Sequence, residues 1–573
     1  MPTIWALDES KQVATPELSG EMPFSELMLK LFHSKGLESE EKIQQYSFPS
    51  LELLHDPFLM KGMRRAAARI LSAIDRKELI LVHGDYDVDG VTGAAIIGRM
   101  LERLNAQFSI FLPERERDGY GVSRHAIEQA GEKGAKLLIT VDCGVQAFDQ
   151  IKEARKLGID VIVIDHHQIL EGKLPDAFEI LNPLQEDCTY PFKELSAGGL
   201  AFKLAQALLG RAAFELLELA ALSTVCDLAP LVKENRVLVT FGLERMSERP
   251  HLGIKSLCEA SKLFRKKISA RDIGFVLGPR INASGRLGSP MQALQLLMTK
   301  SDEEAKSLAE KLNHENQLRQ AEDRSVLERA LQTVEREINF NRDRIIVVWG
   351  EDWHPGVIGI VAQRLVERFH RPAVVIAMND SWGKGSARSV KGFHLFEGFS
   401  YCASLLEEFG GHELAAGLKI HKDQLNSFRS KLNEFAHQMP PVVFSRSIRV
   451  DLEISLSELI PQFFRELSLM EPFGMGNPRP VFLANALTTK GKVNRVSGAL
   501  KWWLTDGSNV FEAIWRGDDA DLSLIQEGTY SVVFSPKIVA PTSGERSSSL
   551  SGTEWANLGS VLLEVKDVKC VLS

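Results

Sequence analysis

Between Lys77 and Pro183 the chain alternates short apolar runs with amphipathic stretches: ELILVH, VTGAAIIGRMLERL, FSIFLP, RHAIEQAGEKG, KLLITVDCG, AFDQIKEARKLG, DVIVIDHH and FEILNP. Nothing else in the sequence restricts the fold as tightly. Strands that read as near-continuous apolar runs are buried on both faces, and a helix between successive strands is the crossover that parallel pairing requires. The expected architecture is therefore α/β, with a parallel-sheet first domain.

After Ala197 the strand pattern gives way to helical segments, GGLAFKLAQALLG and FELLELAALSTVCDLAPL. Residues 301–338 carry many charges with neither Gly nor Pro, which predicts one long, largely exposed connector helix. A second, smaller α/β set begins at Arg344 with RIIVVWG, PGVIGIVAQRLVERF and PAVVIAM, followed by GKGSARS and a helix into FGGHELAAG. From about Ser445 the β-like stretches KWWLTD, NVFEAIW and GTYSVVFSPKIV, separated by Gly, Asp and Ser, predict a C-terminal, OB-like β-barrel. A chain of 573 residues needs several cores, and these patterns divide it into an N-terminal cap region (1–50), a catalytic domain (51–240), a helical region with the connector (241–340), a second α/β domain (341–440) and the barrel (441–573).

Composition excludes some classes. A net charge of −8 rules out a protein coated in positive charge, so any nucleic acid must be held by local basic patches such as 255–271, with six Lys or Arg against one Glu. Six cysteines at 143, 188, 226, 258, 402 and 570 form no CxxC pair, a pattern of reduced thiols that predicts a cytoplasmic protein. MPTIWALDESKQ lacks a basic region followed by an apolar run, and Ala212–Val232 is interrupted by Glu215, Glu218 and Asp227, so neither a secretory signal nor a membrane span is expected.

The chemistry concentrates in HGDYDVDG, where Asp85, Asp87 and Asp89 crowd three carboxylates between His83 and Gly90. Like charges at this spacing repel, so a cation is expected to hold them. A calcium EF-hand loop also begins DxDxDG, but it requires a glutamate at the position of Ile96 and a helix where ELILV stands. At the carboxyl end of a parallel strand, by contrast, such residues lie where open α/β sheets place their active sites. Residues two apart in extended chain share a face, so His83, Asp85, Asp87 and Asp89 are expected to form one wall. LLITVDCG delivers Asp142 and VIVIDHH delivers Asp165, His166 and His167 to the same edge. Asp227, in an apolar helix, is a costly buried charge unless it too reaches a cation. Imidazole with carboxylates suits Mn²⁺, with Mg²⁺ the alternative, and the number of ligands points to two divalent ions sharing a carboxylate, the arrangement that hydrolyses phosphate esters.

HGDYDVDG, TVDCG, IDHH and the Asp of STVCDLAPL, in this order and spacing, resemble the four motifs of the DHH phosphoesterase family, and GGHELAAG resembles the signature of its DHHA1 domain. LPERERDGYG, GPRINASGRLG, GKGSARS and EPFGMGNPRPVF resemble segments of the RecJ branch, the bacterial single-strand-specific 5′→3′ DNA exonucleases. The resemblance implies a DHH domain joined by the long helix to a DHHA1 domain and then the barrel. It implies His83, Asp87 and Asp142 as ligands of one ion, Asp89, Asp142, His166 and Asp227 as ligands of the other, and Asp85 coordinating directly or from behind a ligand. It gives His167 the scissile phosphate to stabilise or the leaving oxygen to protonate, and Asp165 a neighbour to orient. Arg115, Arg280, Arg286, Ser386 and Arg388 lie in motifs associated with phosphate and 5′-end binding, and Gly410, Gly411 and His412 join them. Single-stranded DNA is the implied substrate, with a single-strand-binding protein and a helicase as implied partners in repair and recombination. Trp502, Trp503 and Trp515 are candidates for base stacking or for barrel core. A relative acting on short oligonucleotides or cyclic dinucleotides needs only the two α/β domains, and a catalytically dead scaffold would lack ligands that this chain keeps.

Overall fold

The computed structural model describes residues 3–7, 23–114, 117–119, 121–170, 173–263, 267–517, 520–526, 528–539 and 560–570. The chain divides into two compact units, one built from Trp5–Gly285, Ser289–Glu310 and Ile448–Ser573, the other from Met1–Ile4, Arg286–Gly288 and Lys311–Ser447.

In the first unit, β1 (Ile80–His83), α1 (Val88–Arg103), β2 (Phe108–Phe111), α2 (Arg124–Glu132), β3 (Leu137–Val141), α3 (Phe148–Lys156), β4 (Asp160–Ile164) and β5 (Glu179–Leu181) follow one another as the hydrophobic pattern predicts. The strands form a wholly parallel sheet of order β2-β1-β3-β4-β5. Every residue of β1 and β3 is buried, as central strands covered on both faces must be. The chain runs outward from β1 in one direction and from β3 in the other. A crevice therefore opens between their carboxyl ends, the switch point where doubly wound sheets bind ligands. Helices α4 (Ala197–Leu209), α5 (Leu217–Cys226) and α6 (Lys233–Glu248) complete this part.

The barrel closes as five strands. Phe482–Val496 pairs with Ala499–Thr505, then Val510–Arg516, then in parallel with Ser560–Cys570, then Tyr530–Val539, which returns to Phe482–Val496. Trp502 and Trp515 fill its core, and Trp502 Nε1 donates to the Tyr530 hydroxyl at 3.0 Å, so neither is available to a base. Trp503, on the opposite pleat, is half-buried. The N-terminal region is more than a cap: helices Glu26–Ser34 and Glu40–Ser47 place Leu27, Met28, Leu31, Phe32 and Ile43 in the barrel's own hydrophobic core.

The connector is a continuous 36-residue helix, α7 (Asp302–Glu337), which belongs to the second unit from Lys311 on. It is exposed on one side only, because Val326, Ala330 and Val334, spaced four apart, enter the domain core. Beyond it, β6 (Ile346–Glu351), α8 (Ile358–Phe369), β7 (Ala373–Asn379), β8 (Trp382–Arg388), β9 (Glu408–Gly411) and β10 (Ala415–His421) build a sheet of order β9-β10-β8-β7-β6. Only β6 and β7 run parallel. GKGSARS lies in β8, and GGHELAAG is the β9–β10 hairpin.

Candidate metal centre and phosphate-binding residues

The aspartates of HGDYDVDG are not the extended wall that their spacing suggests. β1 ends at His83, and Asp87 is the N-cap of α1, its Oδ1 accepting from the N–H groups of Asp89 at 2.9 Å and Gly90 at 3.1 Å. Asp89 stands in the first turn, where free N–H groups and the helix dipole favour negative charge. Asp85 folds back to accept from the N–H of Tyr86 at 2.8 Å. Gly90 permits this tight entry, since a Cβ there would lie 2.6 Å from Asp85 Cα. GPRINASGRLG supports the loop from outside: Asn282 Oδ1 accepts from the N–H of Val88 at 3.1 Å, and a Cβ at Gly285 would meet the Tyr86 carbonyl oxygen at 2.5 Å.

β3 delivers Asp142 in the left-handed region, φ 65°, an unusual conformation for a non-glycine residue that is tolerated best by Asp and Asn. β4 delivers Asp165, His166 and His167, and Asp227 caps the carboxyl end of α5. His166 Nε2 stands 3.3 Å from Asp142 and 3.7 Å from Asp89, while its Nδ1 lies 3.7 Å from Asp227. One donor atom each from Asp85, Asp87 and Asp142 come within 4.8 Å of one another, as do those of Asp89, His166 and Asp227, and those of Asp142, His166 and His167. Asp142 thus belongs to two of the three groups. Its Oδ1 is buried and has no hydrogen-bond partner, a state expensive for a carboxylate in the absence of a cation. Burial first, then the neighbouring carboxylates of Asp89 and Asp87, pushes the Asp142 carboxyl well above its ordinary range. Burial and then the Asp89 carboxylate raise Asp87, and burial with the Asp89 and Asp87 carboxylates lifts Asp227 to about 8. An oxygen-and-imidazole donor set with this electrostatic stress fits hard divalent cations.

Asp89 is positioned by groups that the sequence reading did not single out. It accepts from the N–H groups of Ala197 and Gly198, both at 2.8 Å, and from the Ser223 hydroxyl at 2.5 Å. The two N–H donors are the amino end of α4, whose N-cap is Ser196, and the hydroxyl comes from α5. SAGG before an apolar helix is a recognisable N-terminal signal, but nothing local says that it faces a carboxylate.

Asp165 accepts from His167 Nδ1 at 2.7 Å, from the His167 N–H at 3.0 Å and from the Val145 N–H at 2.9 Å. Burial alone would raise Asp165; the His167 hydrogen bond and charge overcome it and hold the carboxyl below its usual range. The same hydrogen bond raises His167.

The structure does not bring His83 to this cluster. Its ring is fully buried against Phe111, Nε2 accepts from the Ser123 N–H at 3.1 Å, and Nδ1 lies 3.6 Å from Cys143 Sγ. Because the strand ends at His83, the side chain faces into the domain beside β2 while the turn carries the aspartates away. Burial draws its pKa down to about 4, which keeps it a neutral acceptor. Asp85 is the residue that stands with Asp87 and Asp142 in one donor group. His83→Gln is accordingly expected to bind as many Mn²⁺ per chain as the wild type in a calorimetric titration, whereas Asp87→Asn binds fewer; a lost ion in His83→Gln would restore the histidine as a ligand.

Of the phosphate candidates, Arg115 lies outside the described residues. Arg280 donates to the Val276 carbonyl at 2.6 Å, and Arg286 to the Gly356 carbonyl at 3.0 Å. Ser386 and Arg388 stand side by side on β8, Arg388 Nη1 lying 3.3 Å from Ser386 Oγ. Both meet the amino end of α8 at Gly359, where a Cβ would come 3.0 Å from Ser386 Oγ. Gly410 shares their sheet face through the register Gly410–Gly417–Ser386, and the His412 N–H closes the hairpin on the Ala415 carbonyl at 2.8 Å. Gly411, at φ 137°, has no room for a side chain beside Ala415 and Ala416. In the basic patch, helix Leu252–Ala260 carries Lys255, and residues 264–266 lie outside the described set.

Three family models match: the DHH family, N-terminal domain, at residues 79–225; the DHHA1 domain at 342–438; and the RecJ OB domain at 450–541. The single-stranded-DNA-specific exonuclease RecJ of Escherichia coli is 34% identical over 498 residues, 82% of this chain and 84% of that protein. RecJ of Bacillus subtilis is 39% identical over 84% of this chain, which spans only 62% of that longer relative. Among solved structures, RecJ of Thermus thermophilus in complex with Mn²⁺ matches with a TM-score of 0.81 at 28% identity, covering all of this chain and 80% of the other. The same protein has been solved with Mg²⁺. Sequence order, domain series and the carboxylate–histidine cluster agree, and the chain belongs to the RecJ family of single-stranded-DNA-specific exonucleases.

Proposed function

We propose that the chain is a 5′→3′ exonuclease that hydrolyses single-stranded DNA to mononucleotides at the switch-point cluster, in DNA repair and recombination. The observation that carries the reading is the pair of donor groups, Asp85–Asp87–Asp142 and Asp89–His166–Asp227, joined where His166 Nε2 stands 3.3 Å from the buried Oδ1 of Asp142, which accepts no hydrogen bond. These residues would hold two divalent ions, Mn²⁺ or Mg²⁺. When bound, such ions supply hydroxide at neutral pH and neutralise charge on the phosphoryl oxygens.

The chain's own residues do the rest. Asp89 is locked by three donors, so its carboxylate cannot turn away from the cluster. Asp165 accepts a hydrogen bond from His167 Nδ1, which fixes that ring and leaves Nε2 to donate towards a phosphate oxygen or the leaving group. Ser386 and Arg388 offer a hydroxyl and a guanidinium fork to a 5′-terminal phosphate, with the open backbone at Gly410 allowing close approach. Arg280, Arg286 and Arg115 are assigned to the DNA backbone on the strength of their motifs.

Degradation of a long single strand labelled at its 5′ end tests this. Mononucleotides should appear from that end only, in Mn²⁺ or Mg²⁺, and not in EDTA. Hydrolysis confined to dinucleotides or small phosphoesters would overturn it. No helix among the described residues is long and apolar enough to cross a membrane. A cytoplasmic location, suggested by the six unpaired thiols, and association with a single-strand-binding protein and a helicase, suggested by the family, are tested by fractionation and by co-purification from nuclease-treated extract.

A further inference from the structure

In the second unit a groove of about 1500 Å³ runs over the face of the sheet that carries Ser386 and Arg388. Cross-strand register orders this face into rows. Ala415 stands beside Arg388, Gly410 and Gly417 beside Ser386, Glu408 and Lys419 beside Lys384, and His421 beside Trp382. Successive rows are about 6.8 Å apart along the strands. The groove begins at the Gly410–Gly417 row, whose missing side chains leave bare backbone, and leads towards Trp382, away from Arg388.

Two features of the third row call for an anion. Lys384 and Lys419 are direct cross-strand neighbours, a like-charge pairing that costs stability unless something shares the two ammonium groups. Glu408, the other cross-strand neighbour of Lys419, also lines the groove with Glu322 and Asp352, but among the described residues none of the three is in an ion pair with either lysine. Lys419 is held rather than loose: its ammonium lies 5.2 Å from the centre of the Trp382 ring, and that ring is in turn braced edge-on by His421 at 5.1 Å. Trp382 is 41% exposed, so its ring contributes more to placing Lys419 than to any core.

We propose that Lys384 and Lys419 form a second anion subsite, one row beyond the Ser386–Arg388 pair, which takes the β- and γ-phosphates of a strand carrying a 5′-triphosphate. The inference rests on Ser386 and Arg388 receiving the 5′-terminal phosphate. From there the next phosphates point along the open groove, past glycines that offer no steric stop, to two lysines about 6.8 Å away. The end-binding site is then open at its far side, and the enzyme accepts ends with more than one phosphate.

The test is steady-state kinetics on one single-stranded DNA sequence bearing a 5′-hydroxyl, a 5′-monophosphate or a 5′-triphosphate, with wild type, Lys384→Ala, Lys419→Ala and Arg388→Ala. The wild type is expected to show a KM at least threefold lower for the triphosphate than for the monophosphate. Each lysine variant should lose that advantage with unchanged kinetics on the monophosphate. A triphosphate strand bound no better than the monophosphate, or a preference that survives both lysine variants, overturns the subsite. A monophosphate advantage over hydroxyl that is absent, or indifferent to Arg388→Ala, overturns the underlying assignment of Ser386 and Arg388 instead.

Discussion

Asp142→Asn is expected to lower kcat on single-stranded DNA by roughly 10⁴-fold, the several kcal/mol that a metal centre supplies to phosphoester hydrolysis. The same variant, stripped of metal by EDTA, is expected to melt higher than the metal-free wild type, by roughly 2–4 °C. Both effects have one source. Asp142 sits where burial and the carboxylates of Asp89, Asp87, Asp85 and Asp165 all oppose its charge. Asparagine keeps the size, and it tolerates the left-handed backbone at φ 65°, so the substitution removes the charge and little else. Without a cation the wild-type cluster is a site of stored repulsion, and neutralising its most crowded member relieves it. With a cation the order reverses, because the carboxylate common to two donor groups is the one that cannot be replaced. Addition of Mn²⁺ should therefore raise the melting temperature of the wild type far more than that of the variant. Equal shifts on adding metal would show that Asp142 does not hold it.

How much of this was legible beforehand follows from how local each cause is. The parallel sheet could be read because its central strands are buried on both faces and their apolar runs are uninterrupted. The identity of most acidic residues could be read because they end those strands. Their geometry could not: alternation placed Asp85, Asp87 and Asp89 on one extended face, and the N-cap hydrogen bonds of Asp87 wind the last of them into a helix. The choice between His83 and Asp85 was not legible for a similar reason, since a histidine at a strand end reads alike whether it faces solvent, metal or, as this side chain does, the domain interior. The donors to Asp89 come from 108, 109 and 134 residues away, and no periodicity reports such a meeting. The N-terminal helices are the extreme case, their apolar faces completed by a barrel more than four hundred residues later. The glycine-rich motifs carried more than their composition suggested. Gly90 and Gly285 are sites where another backbone comes too close for a side chain, so each is a statement about a neighbour.

EPFGMGNPRP was legible as a motif and silent about its role, and the structure gives that role a measurable size. Arg236 on α6 is buried, and it spends its guanidinium on four backbone carbonyls: Nε on Tyr46 at 2.9 Å, Nη1 on Met470 at 3.0 Å, and Nη2 on Leu469 at 2.7 Å and Glu471 at 2.8 Å. The plane also stacks on the Tyr46 ring at 4.0 Å. Asn477 completes the knot by donating to the carbonyls of Met470 and Pro472 and accepting from the Tyr46 hydroxyl. The loop then reaches the segment after Asp227, where the Met475 carbonyl accepts from the Leu231 N–H at 2.7 Å. Arg236→Ala strips four acceptors at once in a place with little access for water, and is expected to cost on the order of 4–6 kcal/mol. Arg236→Lys restores the charge with three donors but neither the planar fork nor the stacking, and should recover about half. Tyr46→Phe, which keeps the ring and loses one hydroxyl, should cost about 1 kcal/mol. Urea denaturation followed by tryptophan fluorescence orders the three variants. If Arg236→Ala unfolds at the wild-type midpoint, the guanidinium is not what fastens this loop to α6.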